Sequence, residues 1–158
     1  VIKNYTSGVP VDRTIARIEA ILVRGGATNI IKDYKDGELD AVCFSVLHPG
    51  TGKYLTVRLP ANVESVFRSL HETVKRPREG TVEKLRDQAS RTAWKLMQDW
   101  VEVQMSLIQM HQVEFLQVFL PYVWDGQRTF YTALKETGFK MLPEASRSRI
   151  GNRGGDKE

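Results

Sequence analysis

Residues 91–112, RTAWKLMQDWVEVQMSLIQMHQ, carry two tryptophans and three methionines without a single glycine or proline. With Thr81 as N-cap after Gly80, the helix predicted here starts at 81 and runs to about 111. At 1.5 Å per residue it is roughly 45 Å long, which outreaches any one small sheet. Leu85, Ala89, Ala93, Leu96, Trp100, Val103, Leu107 and Met110 recur at spacings of three and four, and Trp94, Met97, Val101, Met105 and Ile108 form a second line beside them. Only a narrow polar face is left, made of Arg91, Lys95, Gln98, Asp99, Glu102 and Gln109. A helix this apolar needs neighbours on two sides. Core packing is the expected role of most of the stretch, and a homodimer seam is the expected role of the remainder. Trp94 and Trp100 are six residues apart, about 120° around a helix, so they cannot form one stacking platform and are expected to anchor the core. Trp124, in a turn between Pro121 and Gly126, is the indole expected to be exposed.

Upstream of this helix the pattern alternates between helix and strand signals. Val1 to Val11 suggests an extended arm. Asp12 is a plausible N-cap, Ile15, Ile18 and Leu22 share one face, and Gly25-Gly26 ends the first helix. Residues 28–34 and 38–46 form a predicted β-hairpin around Lys35-Asp36-Gly37. A two-residue turn would set Asp33 against Asp40, a repulsive pair. A type I turn with Gly37 in a bulge, pairing Tyr34 with Glu38, Lys32 with Asp40 and Ile30 with Val42, is therefore preferred. Residues 48–53 make a loop, and 54–59 alternate as a third strand with Leu55, Val57 and Leu59 towards the core. Pro60 and Asn62 introduce a second helix whose stripe is Val63, Val66, Phe67, Leu70 and Val74. After the long helix, 113–120 form a short helix stopped by Pro121, 122–127 a turn, and 128–137 a last helix capped by Gly138. Its Phe130 and Leu134, with Phe115, Leu116, Phe119 and Leu120, can cover one side of the long helix.

The fold class that follows is α+β: a three-stranded antiparallel sheet with helices on one face, followed by a helical C-terminal half. Its parts are an N-terminal arm (1–11), an α-β-β-β-α unit (12–74), a basic linker (75–80), a helical unit packed on the first (81–138) and a disordered basic tail (139–158). No apolar run reaches the roughly 18 residues of a membrane span, and the start lacks a signal peptide's apolar core, so the expected setting is the cytoplasm. One cysteine excludes an internal disulfide framework and a four-cysteine zinc site.

Chemistry is hard to find in this chain. Gly50-Thr51-Gly52-Lys53 suggests a phosphate loop, but Leu47 stands where its first glycine belongs, Tyr54 follows the lysine, and a strand comes next. His48, His71, His111 and Cys43 lack metal-ligand spacing, and nothing sets a nucleophile beside a base. The expectation is a non-enzymatic protein needing neither cofactor nor metal. A formal charge of +4 is mild, yet its placement is uneven: Lys75, Arg76 and Arg78 cluster in the linker and Lys140, Arg147, Arg149 and Arg153 in the tail. The third strand turns Tyr54 and Arg58 away from its aliphatic set, and Lys32 and Tyr34 either join them or lie beside the core. Aromatics for stacking interleaved with cations for phosphate is what single-strand binding requires. The candidate nucleic-acid-binding residues are thus Lys32, Tyr34, Tyr54, Arg58, Lys75, Arg76 and Arg78, with solubilising charge as the plainer reading. A protein-interaction module modulating a host or phage complex is the alternative function.

The order helix, three strands, helix over 12–74 resembles double-stranded-RNA-binding domains. Those carry a lysine cluster at the start of the second helix, where this chain has Asn62-Val63-Glu64-Ser65, so that binding mode is not implied. A three-stranded sheet backed by a helix also resembles the core of phage single-strand annealing proteins, in topology alone. VPVDRTIARIEAILVRGGA near the start, VRLPANVESVF in the middle, and RTAWKLMQDWVEVQMSLI followed by VFLPYVW resemble a family of small proteins of phages, prophages and cyanobacteria. The resemblance spans roughly residues 9–138 and implies an accessory protein of a mobile element, with no activity or site residues attached.

Overall fold

The structure is a computed structural model and describes residues 2–145. Arg147, Arg149 and Arg153 of the basic tail lie outside the described residues. The chain runs α1 (Val11–Arg24), β1 (Asn29–Lys35), β2 (Glu38–His48), β3 (Lys53–Pro60), α2 (Val63–Glu72), α3 (Thr81–Gln109), α4 (Phe115–Phe119), a 3₁₀ turn (Leu120–Tyr122) and α5 (Phe130–Glu136). The sheet is antiparallel in the order β1-β2-β3. This is the α+β architecture expected, and among the described residues no helix is long and apolar enough to cross a membrane.

Strand alternation decides which side chains reach the core. On the central strand Val42, Phe44 and Val46 point to the helices, and their β3 partners Leu59, Val57 and Leu55 point the same way. Against them lie Ile15, Ile18, Ile21 and Leu22 of α1, and Trp94, Val101 and Met105 of α3. Of the two apolar lines on α3, the Trp94 line therefore faces the sheet. Phe119 of α4 completes the core with its ring edge-on to Phe44 at 5.7 Å and to Trp100 at 5.5 Å. Trp94 is fully buried and Trp100 half-buried.

The other line of α3 has a different partner. Helix α2 packs antiparallel on its first half, where Arg86 lies 4.4 Å above the Phe67 ring and reaches Glu64 at 3.3 Å. Helices α1 and α3 approach closely at Gly25, where an added Cβ would lie 1.7 Å from the methyl carbon of Met105. Its φ of −79° suits any residue, and the atom in the way is the tip of the flexible Met105 side chain, so a larger residue there would have to displace that methyl.

Four expectations need correction. The hairpin does close through a two-residue turn, with Asp36 at φ 51° and Gly37 at φ 80°, the paired positive values of a type I′ turn. Lys35 pairs with Glu38, Tyr34 with Leu39, Lys32 with Val42 and Ile30 with Phe44. The feared opposition of Asp33 and Asp40 is removed by a bulge: the register slips beside Asp40, so that Asp33 faces Ala41. The N-terminal arm is not extended. It folds into turns clamped along α3, with Thr92 Oγ1 donating to the Asn4 carbonyl (3.1 Å), Gln88 and Arg91 to the Ser7 carbonyl (3.1 Å each), and Asn4 to Asp99 (2.9 Å). Pro121 does not simply end a helix but sits in the first turn of the 3₁₀ segment, where its missing N–H costs nothing. The turn after it contains β bridges, Val57 with Val123 and Trp124 with Thr129, which add a short segment to the edge of β3.

Two outcomes follow for stability. Burial pushes the Asp99 carboxyl up, but hydrogen bonds from Lys3 and Asn4 and the charge of Lys95 outweigh it and hold it below the usual carboxylate range. A depressed folded-state value contributes stability above the unfolded pKa and loses it as pH falls through the folded one. Denaturation of wild type and Asp99→Asn across pH should therefore give a stability gap at neutral pH that closes below about pH 4. Trp94 is buried with its Nε1 unpartnered among the described residues. Trp94→Ala should cost about 3–5 kcal/mol. In the same denaturation experiment, Trp94→Phe should cost much less, since it keeps most of the ring and discards an unpaired N–H.

Candidate nucleic-acid interface

The seven candidate residues fall on three separate surfaces. Lys32 and Tyr34 alternate with Ile31 and Asp33, and because Lys32 faces Val42 and Tyr34 faces Leu39, both lie on the helix side of the sheet. Lys32 Nζ reaches Glu19 Oε1 of α1 at 2.6 Å, and that hydrogen bond raises its pKa. Tyr34 is the penultimate residue of the strand, well exposed. Tyr54 and Arg58 face Leu47 and Cys43, on the opposite side. Lys75, Arg76 and Arg78 lie in the loop between α2 and α3, and among the described residues none of them has an ion-pair partner.

Arg58 is held by the bulge it helps to stabilise. Its Nη2 lies 2.9 Å from Asp40 Oδ2 and its Nε 3.5 Å from Asp33 Oδ2, so one guanidinium bridges the two carboxylates. Cys43 sits between them on β2, buried, and its thiol donates to Asp33 Oδ2 at 3.6 Å. Burial above all, then the negative charge of Asp33, pushes that thiol up to about 11, so it stays protonated at neutral pH and is no nucleophile.

The sheet face carrying Arg58 is wider than the strands alone suggest. Trp124 N donates to the Thr56 carbonyl (2.8 Å) and Phe130 N to the Val123 carbonyl (2.8 Å), so the segment after the 3₁₀ turn lies along β3. Val123 turns inward to the core, and Trp124 consequently turns to the outer face. A polar cleft results, walled by Asp33, Arg58, Trp124, Gln127, Arg128 and Thr132. Asp125 shapes its far lip. Its carboxylate accepts from the Gln127 and Arg128 amides at 2.9 Å each, and these bonds, that from Arg128 foremost, hold its pKa low. Arg128 in turn pairs with Asp125 and Glu136.

The electrostatics of this cleft differ from those of a phosphate clamp. Two guanidiniums stand among four carboxylates, Asp33, Asp40, Asp125 and Glu136. Their positive charge is spent within the protein; the Arg58 side chain is 24% exposed, and Trp124, expected to be exposed, is half-buried beside it. Lys53, adjacent to Tyr54, and the Lys75–Arg78 loop carry cations with no carboxylate partner among the described residues. The Gly50-Thr51-Gly52-Lys53 segment is a hairpin loop, closed by the Thr51 and Gly52 amides on the His48 carbonyl at 3.2 and 2.8 Å. Among the described residues no three His, Cys, Asp or Glu side chains are grouped to hold a metal ion.

Trp124, Gln127, Arg128, Thr129 and Thr132 are the residues that the strand pattern missed. Trp124 stood out as a turn indole, but its partner did not, because a pair of isolated bridges leaves no alternation to detect. Compared with known proteins, the chain matches no family model, no curated protein and no solved structure.

Proposed function

We propose that this chain is a non-enzymatic nucleic-acid-binding accessory protein of a phage or other mobile element, favouring single strands. The observation that carries the reading is the shared outer face of Tyr54, Arg58 and Trp124. Tyr54 is 64% exposed, and the Arg58 guanidinium lies in one cleft with the Trp124 indole. Unpaired bases stack on such surfaces whatever their identity, since every base offers a π face. Gln127, Arg128 and Thr132 at the cleft wall supply donors and acceptors for base edges. Phosphates would be taken by the cations left without partners, Lys53 and the Lys75–Arg78 group, because the cleft arginines are already neutralised.

A second reading, a protein-interaction module, is favoured by a different observation: the second half of α3 and its C-cap expose Val103 at 55% and Met110 at 69%. An apolar stripe of that kind serves a protein partner better than a polyanion.

Titration with single- and double-stranded DNA and RNA at several salt concentrations separates the readings. Tyr54→Ala and Trp124→Ala should each weaken single-strand binding by about 1–3 kcal/mol with little dependence on sequence. Replacing Lys75, Arg76 and Arg78 together by alanine should flatten the logarithmic salt slope by about two units if all three engage phosphate. Absence of binding by micromolar protein at low salt would reject the nucleic-acid reading and leave the interaction module.

A further inference from the structure

We propose that the cavity bounded by the ends of α1, β2 and α3 binds a small organic amine with an apolar body. Its volume of about 540 Å³ is in the range of small-molecule sites. Most of its wall is apolar. Val46, Leu47 and Pro49 come from the end of β2 and the loop after it, and Ile108, Val113 and Phe115 from the end of α3 and the start of α4. The cavity shares no residue with the outer-face cleft.

The remaining wall carries one sign of charge. Helices α1 and α3 both end here, and in the same way. In α1 the Gly26 amide donates to the Val23 carbonyl (3.1 Å) and the Ala27 amide to the Leu22 carbonyl (3.0 Å). In α3 the His111 amide donates to the Ile108 carbonyl and the Gln112 amide to the Leu107 carbonyl, at 3.0 Å each. These are paired Schellman ends, and the C-terminus of a helix is the negative end of its dipole, which favours a cation. Arg24, in the last turn of α1, lies along a different groove with Arg17 and Glu102, and α3 has no basic residue in its last turn. Glu114 adds a full carboxylate, and among the described residues no lysine or arginine lines the cavity.

The two helix ends differ at one position. The left-handed residue after the C-cap is Gly26 in α1, with φ 98°, but His111 in α3, with φ 55°. A side chain at such a position costs backbone energy that glycine would relieve. The imidazole stands there against the local preference, and it lines the cavity. A ring nitrogen of His111 and the Glu114 carboxylate can both accept from an ammonium group. Glu114 already caps α4 by accepting from the Gln117 amide, and a carboxylate has lone pairs to spare for a second donor. The Phe115 ring offers its face to the same cation, and Ile108 and Val113 a surface for the apolar body.

The experiment is an amide NMR titration of the full chain with three probes sharing one aromatic body: phenethylamine, phenethyl alcohol and hydrocinnamate. Phenethylamine should shift the amides of Gly26, His111 and Phe115 and bind about fivefold or more tighter than the other two. Glu114→Gln keeps a carbonyl to cap α4 but removes the charge, so it should weaken the amine about threefold and leave the alcohol unchanged. His111→Gly should also weaken the amine, while the melting temperature stays the same or rises, because glycine suits the left-handed position. A purely structural histidine would not separate binding from stability in this way. The proposal is overturned if millimolar phenethylamine shifts no amide around the cavity, or if hydrocinnamate or the alcohol binds as tightly. It is also overturned if both variants bind the amine as wild type does.

Discussion

The burial of Trp94, Val101 and Met105 against Val42, Phe44 and Val57 holds the rest of the molecule in place. A three-stranded sheet with one apolar face has to cover that face with other elements. Helix α1 closes only part of its inner face. Helix α3 adds Trp94, Val101 and Met105 to that face, the tip of Met105 reaching Gly25 at the end of α1. Once α3 is fixed, everything downstream follows its surface. Phe115 and Phe119 pack on Phe44 at one end, and Tyr122 meets Trp100. The segment that follows is thereby delivered to the edge of β3, where Trp124 can hydrogen-bond to Thr56. The outer-face cleft is thus a consequence of helix packing on the inner face.

Arg58 links that packing to the candidate interface. Two carboxylates close together on one face would repel, and the chain answers with a bulge and a bridging guanidinium. The arrangement sets a limit on what the cleft can bind. A cation committed to two acids offers a planar surface more than a net charge. The loop of Lys75, Arg76 and Arg78 and the turn lysine Lys53 lie away from these acids. Paired cations beside the Trp124 indole and cations without a carboxylate partner thus occupy different parts of the described surface.

Much of the fold was legible in the sequence, and the reasons for the misses are physical. Three strands, the limits of α3 and the inward set Val57 and Leu59 follow from periodicity, because burial on one face imposes it. The hairpin register did not follow. Charge repulsion between Asp33 and Asp40 argued against a two-residue turn, but the repulsion depends on Arg58, a residue on another strand. The same blindness to long-range partners affected the candidate site. Lys32 belongs to α1 through Glu19, and Arg58 belongs to the hairpin, neither of which local sequence announces. On α3 both apolar lines were visible, yet which line meets the sheet is decided by α2, whose length determines where its cover ends.

The central claim is that the sheet and α3 share one core, so that the N-terminal and C-terminal halves of the chain are one cooperative unit. Native-state amide hydrogen exchange, followed residue by residue against denaturant, tests it most directly. The claim predicts that the amides of Ala93 to Met105 in α3 and of Val42 to Val46 in β2 exchange through a single opening of equal free energy and equal denaturant dependence. The first turn of α3, the α2–α3 loop and α5 should open earlier, at lower cost. Separate openings for α3 and β2, with one element protected while the other exchanges freely, would contradict the claim.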